Sequence, residues 1–145
     1  MKTKEKQEKL VETLRAWQHV ETQSVAQTAG IIDQTRNPVI RLVMEIIQRD
    51  SAMHHRVQEF IIGTLEKEAV DVTPDDLAKV WGAIEAHIAA EKKTEALIAA
   101  ARRSLAGTRN VVQQYFLSYL EHDEKKHDQL LDDLALIKRG IYKSA

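Results

Sequence analysis

The sequence predicts an all-α protein: an up-down-up-down four-helix bundle made of two related helical hairpins. Three observations predict it. Apolar residues recur at helical spacing in four long segments. Only two prolines and five glycines interrupt 145 residues. Nowhere do β-branched residues alternate with polar ones as a half-buried strand requires. The bundle is read as one domain over residues 1–145, long enough to enclose a sizeable core.

The first helix is expected at about 5–34, on a stripe of Leu10, Leu14, Trp17, Glu21, Val25, Thr28 and Ile32. The second, 38–68, opens at "TRNP", where Asn37 suits an N-cap and Pro38 the first helical position. Its stripe is Ile40, Val43, Ile47, Asp50, His54, Val57 and Ile61. "VTPDD" starts the third, 74–105, with Thr73 as cap and Asp76 at the capping-box position. Its stripe is Leu77, Trp81, Ile84, Ile88, Glu91, Glu95 and Ile98. Gly107 stops that helix and Asn110 caps the fourth, 111–138. The fourth stripe runs through Phe116 or Leu117, Leu120, Glu124, His127, Leu131 and Leu134.

The two halves repeat. "TRN" at 35–37 recurs at 108–110, an offset of 73 residues, and Val39/Val112, Asp50/Asp123 and His54/His127 keep that offset. The short connection between the second and third helices allows no long crossover, since a residue spans at most about 3.6 Å. Successive helices therefore run up and down.

Composition narrows the function. A net charge of −1 leaves no basic excess for nucleic-acid phosphates. No apolar run approaches the roughly 20 residues of a membrane span, and no secretory signal stands at the start. With no cysteine there is neither a disulfide framework nor a thiol nucleophile or ligand. A cytoplasmic protein is the expectation, without nucleic-acid or membrane partners. Tyr115, Tyr119 and Phe60 are candidates for pairing with a second copy, as a homodimer.

The informative feature is polar. Counted from the turns, Glu21, Asp50 with His54, Glu91, and Glu124 with His127 interrupt their stripes at the same height, at about 1.5 Å of rise per residue. No lysine or arginine shares the stripe at that level. Buried unpaired carboxylates cost several kcal/mol each, roughly, and several in one layer also repel. A bound cation offsets both penalties. Two divalent ions would balance four carboxylates, with two neutral imidazoles completing the coordination. Oxygen and nitrogen donors suit iron, manganese or zinc better than calcium or copper(I). The expected metal ligands are Glu21, Asp50, His54, Glu91, Glu124 and His127. Asp123, Glu95 and His87 are further candidates, and Trp17 is expected to pack beside the site. The alternative is a non-enzymatic bundle, an adaptor or structural protein, in which His54 and His127 only hydrogen-bond Glu21 and Glu91.

The ExxH at Glu124–His127, the lone glutamates Glu21 and Glu91, and His54 on the second helix resemble the ferritin-like di-iron carboxylate proteins. In that family a glutamate from each of two helices and an ExxH from each of the others hold two metals. The resemblance implies an iron cofactor, two ions, and an oxidoreductase acting in iron, dioxygen or peroxide chemistry, ferroxidase- or oxidase-like. The sequence departs at Ser51, which takes the glutamate position before His54, with Asp50 one residue earlier. The up-down connectivity is similar to hemerythrin, the second choice, whose sites need more histidines than this chain supplies.

Overall fold

The computed structural model describes residues 2–140, so Met1 and 141–145 of the expected domain lie outside the described residues. The described chain is helical, without strands: α1 (Thr3–Gln34), α2 (Pro38–Glu66), α3 (Pro74–Ala78), α4 (Trp81–Ser104) and α5 (Val111–Lys138). It divides between Val70 and Asp71 into two compact units.

Local chemistry sets most helix ends. Asn37 Oδ1 accepts from the backbone N–H groups of Val39 (2.9 Å) and Ile40 (3.3 Å), with Pro38 opening α2. Thr73 and Asp76 form a reciprocal capping box, with Asp76 N–H donating to Thr73 Oγ1 and Thr73 N–H to Asp76 Oδ2. Gly107 adopts φ +74°, a left-handed conformation that costs a residue without Cβ little.

Two expectations about the helices need correction. Asn110 precedes α5 but does not cap it with its side chain. Its ψ of 69° lies outside the extended region that aims an Asn oxygen at the first turn, and its amide donates to Thr108 Oγ1 instead. The third segment is two helices rather than one. At Lys79–Val80 the chain turns, and Val80 N–H bonds the Leu77 carbonyl three residues back. Val80, Trp81 and Gly82 are all weak helix formers, so the first turn does not propagate.

In the first unit α1 packs along α2. The buried face of α1 carries Leu14, Gln18, Glu21 and Thr28; that of α2 carries Ser51, Gln58 and Ile62. The α2 face is thus rotated by about one residue from the expected stripe. Ile40, Ile47 and Val57, on the expected stripe, are exposed, while His55, off that stripe, is half-buried. Side chains that bond across the interface favour this rotation. Ser24 and Ser51 hydroxyls lie 2.9 Å apart, Gln18 Nε2 donates to Glu59 Oε2 at 2.8 Å, and Gln48 Nε2 donates to the Val25 carbonyl at 3.3 Å. Arg15 pairs with Glu66 at 2.7 Å nearer the open end.

In the second unit α4 packs on α5, and α3 contacts both. Leu77, Glu91 and Ile98 are buried; α5 contributes half-buried Phe116, Leu117, Leu131 and Leu134. Lys138 lies over the Trp81 ring, 5.2 Å from its centroid, and joins the end of α5 to the start of α4. Arg102 and Glu121 pair near the connecting turn at 3.3 Å. Tyr115 and Phe60 are exposed, whereas Tyr119 is half-buried. Among the described residues no helix is long and apolar enough to cross a membrane.

Candidate metal centre

The α4–α5 hairpin brings three of the expected ligands together. Glu91, on the apolar face of α4, is 8% exposed. Glu124 and His127, one turn apart on α5, share the face that meets it. One donor atom from each of Glu91, Glu124 and His127 lies within 4.8 Å of the others, and no other such trio of His, Asp or Glu occurs among the described residues. His127 Nδ1 stands 3.5 Å from Glu91 Oε1 and 3.8 Å from Glu124 Oε2. Two donors on opposite sides of a first-row ion, each at about 2.1 Å, are about 4.2 Å apart, so this group needs little adjustment to close on one ion.

The surroundings fit. His127 Nε2 points to Asp123 Oδ2 at 3.5 Å, so one ring nitrogen faces the cluster and the other a carboxylate, the arrangement that orients a ligating imidazole. Lys126, at 2.7 Å, holds Asp123. His87, one turn before Glu91, meets Glu91 Oε1 at 2.8 Å. A groove of about 330 Å³, lined by His87, Glu91, His127, Leu130 and Leu131, opens beside these donors.

The electrostatics are those of two carboxyl groups competing for one charge. A hydrogen bond shared with Glu124, reinforced by His87 and His127, lowers the pKa of Glu91. The same contact with Glu91, together with burial, raises that of Glu124. The two carboxyl groups are thus biased in opposite directions, Glu91 toward its charged form and Glu124 toward its neutral one. Glu124 Oε2 is nonetheless buried with no hydrogen-bond partner. Among the described residues the ion-pair partners of Glu91, Glu124 and Glu21 are histidines.

The other three expected ligands lie in the α1–α2 hairpin. Glu21, 7% exposed, accepts from Trp17 Nε1 at 3.0 Å and stands 3.4 Å from His54 Nδ1. His54 itself is mostly exposed, and Asp50 is half-buried one turn before it. Trp17 is half exposed rather than core, tied to Glu21 by its indole. Glu95 is exposed and shares a hydrogen bond with Asp128 that raises its pKa; it is not in the trio.

Comparison with protein-family models, curated proteins and solved structures finds no match. What the chain can do rests on its own chemistry. The sequence pattern gave His87 too little weight: its i, i+4 spacing to Glu91 was the signal. The Ser24–Ser51 and Gln18–Glu59 bonds had no signal, because interface serines and glutamines look like surface ones.

Proposed function

We propose that this protein binds a first-row transition metal through Glu91, Glu124 and His127, with iron the first candidate and manganese or zinc the alternatives. The observation that carries this reading is Glu124 Oε2, a buried carboxylate oxygen without a donor, facing an imidazole nitrogen and a second buried carboxylate. A cation would satisfy that oxygen and offset the repulsion between Glu124 and Glu91. Glu91 and Glu124 would be the anionic ligands, His127 the nitrogen ligand held by Asp123, and His87 a further donor within reach of Glu91.

Bound iron would supply redox and Lewis-acid chemistry toward dioxygen or peroxide, in a ferroxidase- or oxidase-like role. The groove against Leu130 and Leu131 gives a small molecule a path to the donors. A soluble, cytoplasmic four-helix bundle, ferritin-like or hemerythrin-like, is the architecture we propose for this activity. In its favour, the hairpins leave apolar residues uncovered along the expected stripes, among them Leu10, Ile40, Ile47, Val57 and Leu120. Pairing of two copies through Phe60 and Tyr115 belongs to the same proposal.

A second reading, the metal-free adaptor, draws on two contacts. His54 meets Glu21 and His127 meets Glu91, the pairs that a purely structural polar network would make. Anaerobic addition of iron(II), then air, separates the two. Stoichiometric iron with an absorption change on oxidation supports the metal reading; no retained iron supports the adaptor.

A further inference from the structure

The two hairpins carry the same polar device, and only one copy is complete. In the second, Glu91 is buried on its helix, meets His127 Nδ1 at 3.5 Å, and takes a contact from the side chain one turn earlier, His87. In the first, Glu21 is buried, meets His54 Nδ1 at 3.4 Å, and takes a contact from the side chain one turn earlier, Trp17. The histidines are 73 positions apart, and both the glutamates and the residues before them are 70 apart. Asp50 then corresponds to Asp123, which stands behind its histidine and is not one of the trio.

The copies differ at two positions that matter to a cation. Ser51 stands where Glu124 stands in the second hairpin. Its hydroxyl is buried and bonded to Ser24 Oγ at 2.9 Å, so the first hairpin has neither the second carboxylate nor an orphaned oxygen there. Trp17 replaces His87; an indole N–H only donates, and it occupies Glu21 Oε1 at 3.0 Å. Glu21 and His54 remain as two donors, fewer than the three or four protein ligands of ordinary sites.

We infer that the first hairpin is a latent copy of the metal site, disabled at Ser51 and Trp17, so that each chain takes one ion and not two. This rests on the metal reading above and fixes its stoichiometry. The disabling is reversible by restoring the second hairpin's residues.

The test is equilibrium dialysis of the full chain against Co(II), with metal and protein quantified and helicity checked by circular dichroism. The native chain is expected to hold one ion, and Trp17→His with Ser51→Glu to hold two. Ser24→Ala in the same variant gives the new carboxylate room. One ion in the native chain and one in a folded graft overturns the latent copy alone. Two ions in the native chain overturn the inference and leave the metal reading standing; none overturns both. Should the graft not fold, Glu91→Gln with Glu124→Gln decides. Loss of all bound cobalt supports the inference, and one ion retained per chain overturns it.

Discussion

Glu91 Oε1 and His127 Nδ1, 3.5 Å apart, join α4 to α5 where a buried carboxylate meets a half-buried imidazole, and among the described residues the ion pairs of that acid are with histidines. That contact makes the paired removal of Glu91 and Glu124 informative. Glu91→Ala with Glu124→Ala is expected to weaken metal binding by more than about 100-fold, beyond the effect of losing a supporting residue. Without metal the variant should melt at the same temperature or higher, because two competing carboxyls are gone. Metal titration and thermal unfolding in chelator check this; unchanged binding with a lower melting temperature would favour the structural network.

Metal affinity should rise with pH. Glu124 has a raised pKa, so the metal-free fold binds its proton more tightly than the unfolded chain does. The stability this contributes is fully present below the ordinary carboxylate value and is lost as pH climbs through the raised one. Over the same window the ion no longer competes with that proton. Glu91, with a lowered pKa, acts oppositely: its contribution is present above the ordinary value and lost as pH falls through the lowered one. Glu124→Gln should remove the loss of metal-free stability on the alkaline side of the ordinary carboxylate value. Urea unfolding across pH, without metal, measures it; an unchanged slope in the variant would count against the raised pKa of Glu124.

Asp123 is expected to act through His127. Asp123→Asn should lower metal affinity by about 10- to 100-fold, the usual effect of losing a group that orients a ligand. Lys126→Ala removes the ammonium 2.7 Å from Asp123 Oδ1, and a smaller loss is expected. Equal affinities for native and Asp123→Asn proteins in a competition titration would show that the 3.5 Å approach to His127 Nε2 has no bearing on binding.

The repeated "TRN" makes a second comparison. Asn37 caps α2 through two backbone N–H groups, whereas Asn110 makes no such bond to α5. Asn37→Ala should cost about 1 kcal/mol and Asn110→Ala distinctly less. Denaturant unfolding of the two variants measures the difference, and equal losses would contradict the cap geometry.

These comparisons mark how far the sequence could be read. Asn37, Pro38, the Thr73–Asp76 box and Gly107 were legible because each acts on its own turn. The repeat was legible because Asp and His fell into register with it. The face of α2 was not. Apolar periodicity selected Ile47, His54 and Val57, but the hairpin closes through Ser51 and Gln58, whose bonds to α1 or burial against it leave no trace in a hydrophobic pattern. The break at Val80 was hidden for a similar reason: Leu77 and Trp81 keep helical spacing across a turn where the backbone does not. At the site, the ExxH spacing places Glu124 and His127 together, yet which glutamate meets them depends on how α4 lies against α5, a tertiary matter.

The most direct measurement is an anomalous difference map from crystals grown with manganese(II) or iron(II), collected at that metal's edge. The account predicts a single strong peak bonded to Glu91, Glu124 and His127 at about 2.0–2.2 Å. A map without a peak there at full metal loading, with His127 Nδ1 still 3.5 Å from Glu91 Oε1, would contradict it.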